Sequence, residues 1–203
     1  MNKMREQIHQ EESRVFDEAF RLIGRIAIEH AKIEEMLDYL FWQLTCYEIS
    51  LRRGSADKSK QALQSVFREI RQGINRAHRV MSQRVSLIRK QLAQPRIAAR
   101  LSEISYRDFA AAWPVLGMRI LDASKTRRNI IHSAVDWSDG QLARTIGGVL
   151  DGQSNALDLK RDEAFLNDLQ TLFVDVTVFT QDLGHFLPYA AYEQIIVTAT
   201  MMF

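Results

Sequence analysis

Apolar residues recur every three to four positions along most of the chain, the spacing of helices that bury one face. The first such run extends from about Ser13 to Leu51, and Gly54 ends it. A second run continues to about Gln94, where Pro95 predicts a helix end. The apolar stripe of this second predicted helix consists of Leu63, Phe67, Ile70, Ile74, Ala77, Met81, Val85, Ile88 and Leu92.

A third helical region covers residues 102–132, and Pro114 predicts either a kink or a helix start within it. The spacing of apolar residues then changes to that of strands. "SAVDW" and "LARTI" flank Ser-Asp-Gly, a turn signal, so the sequence predicts a short β-hairpin. "GGVLDGQSN" predicts a loop, and "ALDL" predicts a third short strand.

The remaining chain returns to helical spacing. A helix is predicted from near Arg161 to Leu183, and Pro188 predicts the start of a last helix that extends to about Met202. The fold class is therefore mainly α: an antiparallel helical bundle in a single domain, residues 1–203, with a β-hairpin and loop excursion at about 133–158.

Composition places the chain among globular proteins, with 46% hydrophobic and 26% charged residues. The first twelve residues are charged and lack the apolar core of a secretory signal. The C-terminal run "IIVTATMMF" is too short to cross a bilayer. Cys46, the single cysteine, excludes an internal disulfide and fits a reducing compartment. We therefore expect a cytoplasmic protein without a membrane partner.

Charge is unevenly distributed along the chain. Residues 52–100 carry 13 Lys and Arg against 2 Asp and Glu, whereas the flanking segments are both acidic. Such a basic segment can bind nucleic acid. It can equally be neutralised inside the fold by its acidic neighbours, which is the slightly favoured reading. The candidate nucleic-acid-binding residues on this segment are Arg68, Arg71, Arg76 and Arg79, and Arg84, Arg89 and Lys90 share the predicted polar faces.

The stretch "KTRRNIIHSAVDW" closes the third helical region and contains the candidate site. Arg127, Arg128 and Asn129 precede His132, whose side chain type titrates near neutral pH. A structural explanation also exists, because cations at a helix C-terminus are favourable for the helix dipole and polar side chains there can cap carbonyl groups.

The order of these elements resembles the HEPN superfamily. The first helix contains "KIEEML", with Glu34 and Leu37, a basic helix follows, and the third helix ends in an Arg-polar-x-x-x-His pattern. Many bacterial members continue with a tryptophan-bearing strand, a turn, a second strand and a final amphipathic helix, an order that covers residues 13–186 here. The resemblance implies a HEPN-like helical bundle with a small hairpin insertion after the third helix.

The resemblance also implies an activity. HEPN nucleases are metal-independent ribonucleases that use the RNA 2′-hydroxyl as nucleophile and leave a cyclic phosphate, without a cofactor. His132 would then move the proton, because imidazole is the side chain type that exchanges protons near neutral pH, and an arginine would hold the phosphate. Family members form twofold dimers that bring two motifs into one cleft. A homodimer, an RNA substrate and a cognate antitoxin such as a minimal nucleotidyltransferase are therefore expected partners of a toxin or abortive-infection effector.

Two arginines are candidates for the residue that binds the phosphate. Family spacing assigns the motif arginine to Arg127, and Arg128 stands where members commonly have Asn, with Asn129 one place later. A regular helix, however, places Arg128 about 40° from His132 around the axis and Arg127 about 140° away. Both arginines remain candidates, and family spacing favours Arg127.

Other functions remain open or are disfavoured by the sequence. A non-catalytic HEPN-like interaction module and a nucleic-acid-binding protein that uses the basic segment are the alternatives. No histidine pair or cysteine pair has zinc-site spacing, and no glycine-rich nucleotide loop is present. Cys46 is expected to be a packing residue, and Glu34 is expected to be a surface charge more often than a part of the site.

Overall fold

The mainly α fold class is confirmed by the computed structural model of the protein. It describes residues 2–53, 80–104, 108–132, 134–138, 141–146 and 153–186, together with Arg68 and Gln72. No helix within these ranges is long and apolar enough to cross a membrane. The helices of the described residues are α1 (Asn2–Arg53), α2 (Met81–Leu92), α3 (Pro95–Ile104), α4 (Phe109–Ile131) and α5 (Leu159–Phe186).

Three strands separate α4 from α5: β1 (Ala134–Ser138), β2 (Gln141–Ile146) and β3 (Gln153–Ala156). They form an antiparallel sheet in the order β1-β2-β3, in which Trp137 lies opposite Leu142. The third strand lies earlier than the sequence "ALDL" predicted. Its residues are mostly polar, so apolar alternation did not mark them, and Asp158 instead caps the helix that follows.

The prediction of one continuous second helix that reaches Gln94 is wrong, because the helix is interrupted at Val80. Val80 has an extended backbone, with φ −151° and ψ 138°, and α2 begins after it. The Val80 carbonyl accepts hydrogen bonds from the amides of Gln83 and Arg84, as the residue before a helix does. The apolar stripe continued across this position in sequence, but the β-branched Val80 favours extended backbone.

Two prolines take different places in the helices, since Pro95 lies at a helix start and Pro114 lies inside a helix. Pro95 follows the end of α2 and is also the first residue of α3, where its missing N–H costs nothing. Asp108 caps the start of α4, because its carboxylate accepts a hydrogen bond from the Ala111 amide at 2.9 Å. Pro114 therefore lies inside the helix, beyond the first turn, and is exposed.

The chain divides into two compact units, and α1, α4 and α5 each contribute to both. The first unit contains residues 1–32 and 122–173, and the second contains residues 33–121 and 174–203. The first unit has a core of aliphatic residues from the three long helices. Its buried hydrophobic residues are Ala19, Leu22, Ile26, Ile130, Leu166, Leu169 and Leu172.

The core of the second unit contains a cluster of aromatic residues among its aliphatic side chains. Trp113 and Phe109 of α4 pack against Phe179 of α5, with ring centroids 5.4 and 5.3 Å apart respectively. The buried apolar residues of α2 are Met81, Val85, Ile88 and Leu92, all members of the predicted stripe. The last helix predicted from Pro188 lies outside the described residues, as do residues 139–140 of the predicted Ser-Asp-Gly turn.

Candidate functional site

The candidate residues lie at the C-terminal end of α4. His132 directly follows the last helical residue, Ile131, and its amide donates a hydrogen bond of 3.0 Å to the Arg128 carbonyl. This is the four-residue hydrogen bond of an α-helix. The helix therefore keeps its regular pitch to the histidine and does not unwind before it.

Regular pitch decides which residues share a face. Arg128 lies about 40° from His132 around the helix axis, and Asn129 lies about 60° from His132 on the other side. Arg127 lies about 140° from His132. The structure thus brings together Arg128, Asn129 and His132, and it separates Arg127 from them.

Exposure divides the cluster in the same way. Arg128, Asn129 and His132 are exposed, whereas Arg127 is only half exposed. The Nε atom of Arg127 is buried and has no hydrogen-bond partner among the described residues. Arg127 therefore turns part of its guanidinium away from solvent, and the other three side chains remain accessible to a ligand.

Packing in the first unit fixes this orientation. Ile130, which lies between Asn129 and Ile131, is 5% exposed and belongs to the aliphatic core of that unit. A residue two positions along a helix points about 200° away. Burial of Ile130 therefore turns Arg128 and His132 outward.

Helix spacing adds Lys125 to the exposed face. Lys125 is exposed and precedes Arg128 by three residues and His132 by seven, which places all three on one stripe. The i, i+3, i+7 spacing identifies Lys125, whereas the family pattern starts at the arginines and leaves it out. Two cations and one imidazole on one stripe suit a phosphate group better than a neutral ligand.

The described part of the basic segment does not form a single exposed basic surface. Arg84, predicted on a polar face, is buried at 7% exposure. Its guanidinium lies 3.1 Å from a Glu34 carboxylate oxygen and 3.4 Å from an Asp38 carboxylate oxygen, both on α1. This pairing neutralises Arg84 inside the fold, in agreement with the favoured reading of the basic segment, and it gives Glu34 a structural partner.

The other arginines of the segment are described only in part. Arg68 has helical backbone and is exposed. Arg71, Arg76 and Arg79 lie outside the described residues. The nucleic-acid-binding role of all four stays a prediction.

Among the described residues, neither Cys46 nor a metal-binding cluster offers a reactive centre. Cys46 is buried, and this burial raises the pKa of its thiol from 9.0 to about 12. A thiol with so high a pKa is protonated at neutral pH and is a poor nucleophile. Among the described residues, no group of three or more His, Cys, Asp or Glu side chains could hold a metal ion.

Comparisons with known proteins do not assign a family. The chain matches no family model, no curated protein and no solved structure.

Proposed function

We propose that the chain is a HEPN-like, metal-independent endoribonuclease of the cytoplasm, acting as a toxin or abortive-infection effector. The observation that carries the proposal is the hydrogen bond from the His132 amide to the Arg128 carbonyl. Because it keeps the helix regular, an imidazole and a guanidinium share one solvent-accessible face. Three long helices, α1, α4 and α5, fit a HEPN-like bundle, and the strands that follow α4 fit its hairpin insertion.

The shared face suits cleavage through the RNA 2′-hydroxyl. His132 accepts the proton of the 2′-hydroxyl, and the 2′ oxygen forms a bond to the adjacent phosphorus. The bond from phosphorus to the 5′ oxygen then breaks, which leaves a 2′,3′-cyclic phosphate and a 5′-hydroxyl once that oxygen gains a proton. Charge accumulates on the phosphate oxygens, and Arg128 offsets it with paired hydrogen bonds.

The geometry favours Arg128 over Arg127 as the phosphate-facing residue. Family spacing favours Arg127, but its Nε atom is buried and its direction differs from that of His132 by about 140°. Asn129 donates a neutral hydrogen bond from the same face as His132. Arg127 then serves to position the end of α4.

In-line geometry favours two copies. The attacking 2′ oxygen and the departing 5′ oxygen lie on opposite sides of the phosphorus, so one imidazole cannot contact both oxygens in the same step. A twofold assembly supplies a second His132 to the same phosphate, so one imidazole acts as base and the other as acid. We therefore propose a homodimer as the active form, with a cognate antitoxin such as a minimal nucleotidyltransferase as its regulator.

RNA cleavage in the presence of EDTA tests this function. Total bacterial RNA incubated with the purified chain should yield fragments that end in 2′,3′-cyclic phosphate. His132→Gln should reduce the rate about 100-fold or more, because glutamine forms hydrogen bonds but cannot exchange the proton. The matched control is Arg25→Ala, an exposed arginine of α1, which should leave the rate unchanged.

Two outcomes would refute the proposal. The first is a pure, folded chain that cleaves no RNA at any concentration tested. The second is His132→Gln with the wild-type rate. A lower melting temperature for His132→Gln, without any cleavage by the wild type, would assign His132 to anchoring the chain after α4.

An interaction module is the second candidate function. Val115 and Met118 of α4 and Val174 of α5 are more than half exposed, which is unusual for large apolar side chains that serve no contact. Binding of a protein partner without RNA cleavage is the result that favours this alternative.

A further inference from the structure

A stripe of exposed cations leads away from His132 along α4. Lys125 and Arg128 precede His132 by seven and four residues, and all three side chains are exposed. With a rise of about 1.5 Å per residue, Arg128 lies about 6 Å and Lys125 about 10.5 Å from His132 along the helix axis. All three residues belong to the first unit, and the regular end of α4 fixes these spacings.

Neither cation of this stripe is neutralised within the described part of the chain. Lys125 and Arg128 lie beyond ion-pairing distance of the described carboxylates. Arg119, an earlier cation of the same helix, differs from them, because its guanidinium lies 2.7 Å from an Asp175 carboxylate oxygen. Lys125 and Arg128 therefore keep their hydrogen-bond donors for an anion that approaches from solvent.

Asp122 marks the other end of the stripe. It is exposed and precedes Lys125 by three residues, which places its carboxylate on the same side of the helix. A phosphate strand that continued along the helix past Lys125 would meet this negative charge and be repelled by it. The stripe therefore presents two cations between an imidazole at one end and a carboxylate at the other.

Spacing assigns the two cations to different phosphates. Consecutive phosphates of a stacked strand lie about 3.4 Å apart along its axis, and an extended strand separates them further. The distance of roughly 10.5 Å from His132 to Lys125 therefore spans about one to three nucleotides. Helical side chains also lean toward the helix N-terminus, so His132 leans toward Arg128, whereas Lys125 leans away from both.

We propose that Lys125 binds a second phosphate of the RNA strand, about one to three nucleotides from the phosphate that Arg128 and His132 face. The inference rests on the proposed function, because it takes the phosphate at Arg128 as the scissile one. Lys125 touches none of the reacting atoms and is a substrate-binding residue. Its contact defines the substrate class as oligonucleotides with two or more phosphates, since a dinucleotide with a single phosphate lacks the group that Lys125 binds.

Binding of a 2′-deoxy oligonucleotide tests this contact without cleavage, because such a strand lacks the nucleophile. Fluorescence anisotropy at several salt concentrations measures its Kd. Lys125→Gln should weaken binding about fivefold or more and lower the slope of log Kd against log salt by about 0.7, the value for one phosphate contact on a single strand. Lys125→Arg should keep the wild-type values, because it keeps the charge. Arg25→Gln removes an exposed cation of α1 and is the matched control, which should also keep them.

Substrate length gives a second readout. The wild type should cleave a longer oligonucleotide with a KM about fivefold or more below that for a dinucleotide, because only the longer strand reaches Lys125. Lys125→Gln should remove most of this difference and leave kcat unchanged, because the contact is equally strong before and during the reaction.

Unchanged Kd and salt dependence for Lys125→Gln, or an equal loss of affinity for Arg25→Gln, would overturn the inference. A KM difference between the two substrates that survives Lys125→Gln would overturn it as well. In either case, cleavage by the wild type leaves the proposed function standing. Binding that depends on Lys125 without any RNA cleavage refutes the proposed function and retains the contact of Lys125 with a second phosphate.

Discussion

Trp113 and Val85 join α4 to α2 through a buried hydrogen bond. The Trp113 indole Nε1–H donates to the Val85 carbonyl at 3.1 Å, although that carbonyl belongs to a helix. Trp113 is 1% exposed, so its indole N–H has no access to solvent. The bond satisfies a polar group that would otherwise be costly to bury.

Trp113→Phe should therefore destabilise the protein by about 2 to 4 kcal/mol. The substitution removes the hydrogen bond, which contributes about 1 kcal/mol, and leaves a cavity where the larger ring was. Urea denaturation followed by circular dichroism measures the free energy of unfolding. A change below about 0.5 kcal/mol would show that the bond and the ring volume contribute little.

Gly117 allows the same two helices to approach. A Cβ atom at Gly117 would lie 2.8 Å from Cγ1 of Val85, closer than side-chain carbons tolerate. Gly117→Ala should lower the free energy of unfolding by about 1 to 3 kcal/mol, despite the better helix propensity of alanine. Gly184→Ala is a milder comparison, because its Cβ would meet only the Gln43 side chain, at 3.4 Å.

A second substitution tests the assigned cause. In a Val85→Ala background the colliding methyl group is absent, so Gly117→Ala should cost at least 1 kcal/mol less than it does alone. An equal loss of stability in both backgrounds would mean that Gly117 is not required to make room for the Val85 side chain.

Arg84 should contribute more to stability than any exposed arginine of α2. Arg84→Met keeps most of the volume but leaves the Glu34 and Asp38 carboxylates without their cation. We expect a loss of about 2 kcal/mol, less than for a fully buried pair because both carboxylates are partly exposed. Arg89→Met is the control and should change the free energy of unfolding by less than about 0.5 kcal/mol.

Cys46 should resist alkylation until the protein unfolds. Its folded pKa of about 12 exceeds the unfolded value of 9.0, so the folded state holds the proton more tightly. This contribution to stability is complete below pH 9 and is lost as the pH rises through the folded pKa. Iodoacetamide labelling at pH 8 should be slow in the native protein and fast in urea. Equal rates would contradict the burial of the thiol.

The helical periodicity predicted most of the fold because apolar spacing reflects which face is buried. Met81, Val85, Ile88 and Leu92 were predicted from spacing alone and are buried. Spacing could not predict the break at Val80, since an apolar stripe continues through a residue whether its backbone is helical or extended. Local backbone preference and tertiary contacts decide that conformation.

Charge was harder to predict than hydrophobicity. Arg84 carries a charge, as surface residues usually do. Its burial depends on Glu34 and Asp38, which are about fifty positions earlier in the sequence. A single sequence does not reveal such a pairing. The site residues were found from their order, but only the regular end of α4 separated Arg127 from Arg128.

The most direct test of the account compares Arg128→Ala with Arg127→Ala in RNA cleavage under single-turnover conditions with EDTA. Arg128→Ala should reduce the rate about 100-fold at an unchanged melting temperature, because the phosphate loses its paired hydrogen bonds. Arg127→Ala should keep most of the rate and lower the melting temperature, because Arg127 is half buried. The reverse order of rates, with Arg127→Ala the slower enzyme, would contradict the assignment of the exposed Arg128–His132 face as the site.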